Sequence, residues 1–262
     1  MSTNDDKIRD EVRKRYASIA ASSSASCACS PSCCSSEAPP AEEVSARLGY
    51  SGEELNAVPE GSNLGLGCGN PQAIAMLRAG ETVLDLGSGG GLDCFLAATK
   101  VGEHGKVIGV DMTPEMISQA RANARKGGFA NVEFRLGEIE HLPVADHSVD
   151  VIMSNCVINL SPDKPQVYRE AYRVLKEGGR LAVSDVVALQ ELPQSVKDDL
   201  EKYAGCVSGA ATVADLERML RTAGFHDISI DLKEESKTFI KDWFPDSGVE
   251  DCVLSADIRA RK

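Results

Sequence analysis

Basic residues and long apolar runs are scarce in this sequence, and each shortage argues against a class of partner. The chain has 28 Lys and Arg residues against 40 Asp and Glu residues, so its formal net charge is −12. Nucleic-acid partners require a basic face for their phosphates, and we therefore expect none here. No apolar run reaches the roughly 18 residues that cross a bilayer, so we expect no membrane partner. The charged N-terminus lacks the apolar core of a secretion signal, which predicts a cytoplasmic location.

Cysteine, in contrast, is abundant. The nine cysteines are Cys27, Cys29, Cys33, Cys34, Cys68, Cys94, Cys156, Cys206 and Cys252. Disulfides are rare in a reducing compartment, where clustered thiols more often bind metals or take part in chemistry. The spacing is not that of a zinc ribbon, because no C-x2-C pair is followed by a second one. The thiols therefore need an explanation other than a disulfide framework.

The composition and the hydrophobic pattern divide the chain into three parts. Residues 1–43 predict an N-terminal helix and a flexible segment rich in Ser, Ala and Cys. Residues 44–190 predict a cofactor-binding domain, and residues 191–262 an insertion at the substrate site followed by the closing helix and strands of the same fold. The hydrophobic pattern predicts helices over residues 7–21, 70–80 and 165–179 and a strand over residues 149–155. Strands and helices alternate from residue 82 onwards. This alternation predicts an α/β fold, Rossmann-like and doubly wound, with a mostly parallel seven-stranded sheet and a C-terminal α+β extension.

The loop after the first predicted strand is typical of a cofactor cradle. It contains Asp85, Gly87, Gly89 and Gly91, and these glycines permit a tight turn and a close approach of backbone to ligand. The dinucleotide motif G-x-G-x-x-G would need glycine at position 92, where Leu92 stands. An acidic residue, Asp111, follows the second strand at the position where a carboxylate binds the hydroxyl groups of a ribose.

Three cysteines lie in segments that the topology brings to one edge of the sheet. Cys68 precedes the first strand, Cys156 follows the fourth, and Cys206 lies in the insertion after the fifth. Ligands of open α/β sheets bind at the carboxyl ends of the strands, so we expect the three thiols to converge there. For Cys94 and Cys252 we expect the common role of a free cysteine, a small buried hydrophobic residue.

The segments "VLDLGSGGGLD" (83–93), "GEIEHLP" (137–143) and "RVLKEGGRLAVSD" (173–185), together with Asp111, resemble the class I S-adenosylmethionine (SAM) methyltransferases over residues 80–190. This resemblance implies SAM as the cofactor and assigns roles to the matching positions. Asp85, Gly87 and Gly89 would bind the methionine end of SAM, together with Ser88 and Gly91 in the same loop. Asp111 and Met112 would bind the ribose and flank the adenine, and Glu138 and Ile139 would contact the edge of the adenine. Asn155 would lie near the sulfonium.

The segments "LGLGCGNP", "SNCVINL" and "GCVSGA" resemble the arsenite methyltransferases over residues 48–262. The resemblance implies that Cys68, Cys156 and Cys206 bind trivalent arsenic, which enters as a thiol adduct and leaves as mono- and dimethylated arsenicals in arsenic detoxification. It also implies a thioredoxin or glutathione reductant, and an arsenic relay at Cys33 and Cys34. Soft thiolates suit a soft centre such as As(III).

Two alternatives remain open at this point. The chain could methylate a small organic acceptor such as a quinone, in which case the thiols would be incidental. It could also be a thiol-rich metalloid-binding protein without catalysis. The intact cradle from Asp85 to Gly91 and the acidic residue Asp111 argue against the second alternative, because simple sequestration needs no cofactor site.

Overall fold

The computed structural model describes residues 3–24, 39–192, 194–197, 203, 205–243 and 251–262. Most of the predicted flexible segment lies outside these residues, and so do Cys27, Cys29, Cys33 and Cys34. The first helix, α1 (Thr3–Ser24), is longer than the predicted range 7–21.

Seven strands form a single sheet, as predicted. They are β1 (Thr82–Leu86), β2 (Lys106–Asp111), β3 (Val132–Leu136), β4 (Val149–Asn155), β5 (Leu175–Ala188), β6 (His226–Lys233) and β7 (Val253–Arg261). Their order across the sheet is β3-β2-β1-β4-β5-β7-β6. The first five strands are parallel, and β7 pairs antiparallel with both β5 and β6. The order reverses between β1 and β4, which is where open α/β sheets bind their ligands.

Helices cover both faces of this sheet. They are α2 (Ala41–Arg47), α3 (Gly52–Asn56), α4 (Pro71–Ala75), α5 (Leu92–Val101), α6 (Pro114–Gly127), α7 (Lys164–Val174), α8 (Gln194–Lys197), α9 (Val213–Ala223) and α10 (Lys237–Ile240). Successive strand residues point to opposite faces. Leu84 and Leu86 of β1 accordingly lie in the core under α7 and α9, whereas Val83 lies in the core under α5 and α6.

Helix α4 is shorter than the sequence predicts. A helix was expected over residues 70–80, but α4 ends at Ala75, and Met76 adopts a left-handed conformation with φ of 49°. The guanidinium of Arg180 donates hydrogen bonds to the carbonyls of Ala75 (2.7 Å) and Met76 (2.8 Å). A side chain about a hundred residues away thus binds the last carbonyls of the helix, and no local pattern reveals such a contact.

Helix α7 also ends earlier than predicted. The sequence favours a helix over 165–179, yet the strand conformation already begins at Leu175. The pairing of β4 with β5 jumps from Val149↔Leu175 to Val151↔Arg180, so several residues of β5 bulge out of the register. Gly178 lies in this bulge at φ of 73°, a conformation that glycine adopts without strain. In the described ranges, no helix combines the length and the apolar character that crossing a bilayer demands.

Candidate functional site

A cavity of about 350 Å³ lies at the carboxyl ends of β1, β2 and β4. This volume is within the range of small-molecule sites, about 300–1,000 Å³. Eight of the ten predicted cofactor residues line it: Asp85, Gly87, Ser88, Gly89, Asp111, Met112, Ile139 and Asn155. Gly91 and Glu138 are not among the described residues that line the cavity. Gly91 directly precedes α5, and Glu138 forms ion pairs with Arg9 (3.7 Å) and Arg13 (3.6 Å) on α1.

Backbone amides orient the carboxylate of Asp111. Its Oδ2 accepts a hydrogen bond from the amide of Gly89 at 3.0 Å, and its Oδ1 accepts one from the amide of Thr113 at 2.8 Å. Burial raises the pKa of Asp111, and these two hydrogen bonds oppose that effect. The glycine at position 87 is required by close packing, because a Cβ there would lie 2.3 Å from the Val157 side chain.

Two further polar side chains support a polar ligand in the cavity. Ser88 Oγ is buried and has no hydrogen-bond partner among the described residues, so a donor and an acceptor are left for a ligand. Asp85 is buried beside Cys94, whose Sγ donates a hydrogen bond to Asp85 Oδ2 at 3.2 Å. Burial, with the charge of Asp93, raises the pKa of Asp85 well above its usual value. Cys94 is fully buried, as we expected for a core cysteine.

Helix α1 forms one wall of the cavity, which the sequence analysis missed. Arg9, Val12, Tyr16 and Ile19 line the cavity from this helix. Arg9 is buried, and its Nη2 donates a hydrogen bond to Glu140 Oε1 at 3.2 Å. The signal for this packing was present in the sequence, because Val12, Tyr16 and Ile19 follow one another at spacings of four and three residues.

The three predicted arsenic ligands meet beside the cavity. Cys68, Cys156 and Cys206 are all buried, free thiols, and Cys156 and Cys206 line the cavity itself. The Sγ of Cys206 donates a hydrogen bond to the carbonyl of Cys156 at 2.8 Å. The Sγ atoms of Cys68 and Cys156 and a carboxylate oxygen of Asp185 lie within 4.8 Å of one another. Cys252 is half-buried and packs against the apolar cluster that contains these three thiols.

Two of these thiols are held by strained backbone. Cys156 has a φ of 59° and Cys206 a φ of 67°, and they are two of the five non-glycine residues with positive φ in the described part of the chain. For an L-residue the left-handed conformation costs about 1–2 kcal/mol. Such strain persists where the surrounding structure holds it, and it concentrates at binding and active sites. The sequence carries no sign of it.

The thiols of Cys68 and Cys156 are held in the neutral form. Hydrogen bonds with Cys206 and Cys68, followed by burial, raise the pKa of Cys156 well above its usual value. Burial raises the pKa of Cys68. A soft electrophilic centre that arrives with hydroxide ligands is therefore suited to the site, because each thiol proton can leave with a hydroxide as water.

A buried carboxylate, that of Asp185, lies next to the thiols and was not predicted from the sequence. Asp185 Oδ1 accepts hydrogen bonds from Asn159 Nδ2 (2.9 Å) and from the amide of Val186 (2.8 Å). Burial raises the pKa of Asp185 to about 6. Burial also lowers the pKa of Lys164 to about 8, against the opposing charges of Asp185 and Cys206. An aspartate within the apolar strand "RLAVSDVV" was the available signal, since such residues are rarely buried without a partner.

Asn155 connects the thiol group to the cavity. Its Oδ1 accepts a hydrogen bond from the amide of Cys68 (3.0 Å), and its Nδ2 donates to the carbonyl of Gly69 (2.8 Å) and to the hydroxyl of Tyr50 (3.1 Å). The Tyr50 hydroxyl in turn donates to Asp93 Oδ1 at 2.9 Å. The amide predicted to lie near a cofactor therefore also holds the loop that carries Cys68.

Known proteins resemble this chain in sequence and in fold. The family described as "Methyltransferase domain" matches residues 77–224. An arsenite methyltransferase of Halobacterium salinarum is 52% identical over 98% of this chain and 67% of its own length. An arsenite methyltransferase of Aquipseudomonas alcaligenes is 49% identical over 64% of this chain, which spans half of that relative.

A solved structure extends this comparison to three dimensions. An arsenic(III) S-adenosylmethionine methyltransferase from Chlamydomonas reinhardtii superposes with a TM-score of 0.62 at 38% identity, covering 86% of this chain and 73% of its own. The predicted relay residues Cys33 and Cys34 lie outside the described residues, so their part in the site stays a prediction.

Proposed function

We propose that this chain, which belongs to the arsenite methyltransferase family, transfers a methyl group from SAM to trivalent arsenic. The observation that carries the proposal is the meeting of three buried thiols, from three separate segments, beside the cofactor cavity, which two of them line. Methylation of an organic acceptor would not require this arrangement, and sequestration of a metalloid would not require the cavity.

The cofactor site fits SAM by the chemistry of its residues. Asp111, oriented by two backbone amides, would accept hydrogen bonds from the ribose hydroxyls. Ser88 Oγ offers an unused donor and acceptor, and Asp85 a carboxylate for the methionine amine. SAM, when bound, supplies a methyl group on a positively charged sulfur, which needs an electron pair from the acceptor and no general base.

The thiols would prepare arsenic as that acceptor. Arsenous acid carries three hydroxides, and each As–S bond that forms releases one hydroxide, which leaves as water with the proton of the thiol. Three sulfurs around As(III) form a pyramid, and the lone pair on arsenic stays free to attack the methyl group. The chain's contribution is chiefly positioning, to which the strained backbone at Cys156 and Cys206 contributes.

Arsenic gives up two electrons when it takes the methyl group as a cation, so turnover needs a thiol-class reductant. We include thioredoxin or glutathione as the source of these electrons, and Cys33 and Cys34 as a relay that receives arsenite as a thiol adduct. The products would be mono- and dimethylated arsenicals.

Arsenic speciation after incubation with arsenite, SAM and glutathione tests the proposal. We expect methylated arsenic from the wild type, and none from Cys156→Ser or Cys206→Ser, although both variants should still bind SAM in a calorimeter. Cys68→Ser should slow the first methylation most. Cys252→Ser removes a half-buried thiol outside the group and serves as the matched control, with turnover unchanged. Methylated arsenic from Cys156→Ser at the wild-type rate would refute the assignment.

A further inference from the structure

Three potential metal ligands lie close together beside the cofactor cavity, and a third thiol lies next to them. The Sγ atoms of Cys68 and Cys156 and a carboxylate oxygen of Asp185 lie within 4.8 Å of one another, and all three residues are buried. The third thiol, on Cys206, is hydrogen-bonded to the backbone carbonyl of Cys156 at 2.8 Å. Arsenic chemistry uses only the three sulfurs, because the lone pair on As(III) takes the fourth position. The carboxylate therefore has no part in the proposed reaction.

We propose that Cys68, Cys156, Cys206 and Asp185 form a tetrahedral site for Zn²⁺, and that zinc bound there excludes arsenite. Zinc in proteins prefers four ligands in tetrahedral geometry, takes both thiolate sulfur and carboxylate oxygen, and has no lone pair that needs an open position. Asp185 is the donor that distinguishes the two occupants. Zinc needs its oxygen as the fourth ligand, whereas arsenite does not.

The surroundings of Asp185 are those of an oriented ligand. Asn159 Nδ2 and the amide of Val186 both donate to its Oδ1, while its Oδ2 accepts a longer hydrogen bond of 3.3 Å from the amide of Asn159. Carboxylates that bind metals are commonly held by hydrogen bonds of this kind. The ammonium of Lys164 interacts electrostatically with both Asp185 and Cys206. It would therefore offset part of the negative charge of a thiolate-rich zinc site.

The zinc site depends on geometry alone, whereas its effect on methylation also depends on the proposed function. Cobalt is a suitable probe, since Co²⁺ replaces Zn²⁺ and has intense visible bands in tetrahedral sites and charge-transfer bands with thiolates. The titration uses the reduced full chain in which Cys27, Cys29, Cys33 and Cys34 are serine, because those thiols would bind Co²⁺ themselves. Zinc is then added to displace cobalt and to report its own affinity.

We expect one equivalent of Co²⁺ with tetrahedral bands and thiolate charge transfer. Asp185→Asn should weaken zinc binding by more than the 10–100-fold that typically follows loss of an outer-shell partner. The same variant should keep its arsenite affinity within about twofold, as followed by the fluorescence of Trp243, the single tryptophan, which lines the cavity. Cys252→Ser is the thiol control and should leave both affinities unchanged.

Non-tetrahedral cobalt spectra, or unchanged zinc affinity in Asp185→Asn, would overturn the zinc site. If Asp185→Asn fails to fold, Cys68→Ser carries the same test, since it must then lose charge-transfer intensity. In methylation assays, zinc should compete with arsenite in the wild type and lose its effect in Asp185→Asn. If the chain with the four serines binds Co²⁺ as described but the wild type makes no methylated arsenic, the proposed function fails and the zinc site stands. If methylation proceeds without the cobalt spectrum, the zinc site alone fails.

Discussion

Asn155 offers the sharpest test of how the thiol loop is held, and Asn155→Ala is the perturbation. The side chain makes three hydrogen bonds, to the amide of Cys68, the carbonyl of Gly69 and the hydroxyl of Tyr50. Each contributes a net of about 0.5–1.5 kcal/mol, so their loss should lower the free energy of unfolding by about 1.5–4.5 kcal/mol. Both donor hydrogens of the amide are already used by the protein, and the loop should therefore suffer more than the cofactor site.

The loss of these hydrogen bonds should also weaken arsenite binding. Without Asn155 the loop at 67–69 loses its tether to β4, so Cys68 leaves the position it shares with Cys156. We expect arsenite affinity to fall at least tenfold and arsenic methylation to fall with it, whereas SAM affinity changes by less than about threefold. Urea unfolding, calorimetry with SAM and arsenic speciation measure the three quantities.

Asn131→Ala is the matched control for this prediction. Asn131 Nδ2 also donates to two backbone carbonyls, those of Ala98 (3.3 Å) and Gly102 (3.0 Å), next to α5 and away from the thiols. Its replacement should lower the free energy of unfolding by about 1–3 kcal/mol and leave methylation unchanged. If Asn155→Ala keeps its arsenite affinity, or loses SAM affinity first, the amide serves the cofactor and the reasoning about the loop is refuted.

Two further predictions concern the cofactor cavity. Gly87→Ala should lower the free energy of unfolding by about 2–5 kcal/mol, since left-handed backbone costs about 1–2 kcal/mol and overpacking against Val157 typically about 1–3 kcal/mol. Gly89→Ala should cost only the backbone part, because its Cβ would meet nothing within 4 Å; equal losses in cofactor-free urea unfolding would contradict this. Burial raises the pKa of Asp93 to about 6, so the native chain keeps a proton that the unfolded chain releases near pH 4. The contribution of this carboxyl to stability is therefore greatest below about pH 4 and falls by about 3 kcal/mol as pH rises past 6. Asp93→Asn should lose that part of the pH dependence, and an unchanged slope would contradict it.

The sequence predicted the strands better than the ends of the helices, and the reason is physical. Buried parallel strands are continuous apolar runs, so the range 149–155 was predicted as the structure has it. Helix ends depend on whichever group binds the last carbonyls. At Ala75 that group is Arg180, from another strand, and no window of residues around α4 contains it.

At the candidate site, the sequence indicated which segments meet but not how they are held. The topology placed Cys68, Cys156 and Cys206 at one edge of the sheet, and the structure brings them together there. The left-handed backbone at Cys156 and Cys206 could not be predicted, because positive φ at cysteine reflects the packing of the whole site rather than a local preference. The wall formed by α1 was missed because its apolar stripe is narrow among many charges.

Polar groups next to the thiols have a common physical role. A cluster of thiols alone could collapse into the apolar packing that surrounds it, since free cysteine behaves as a small hydrophobic residue. Asn155 prevents this for Cys68 by binding the backbone on both sides of its side chain, at the amide of Cys68 and the carbonyl of Gly69. Ser184, one residue before Asp185, accepts a hydrogen bond at its carbonyl from the amide of Cys156. Backbone contacts thus position Cys68 and Cys156, whereas Cys206 is held through its own sulfur, which donates a hydrogen bond to the carbonyl of Cys156.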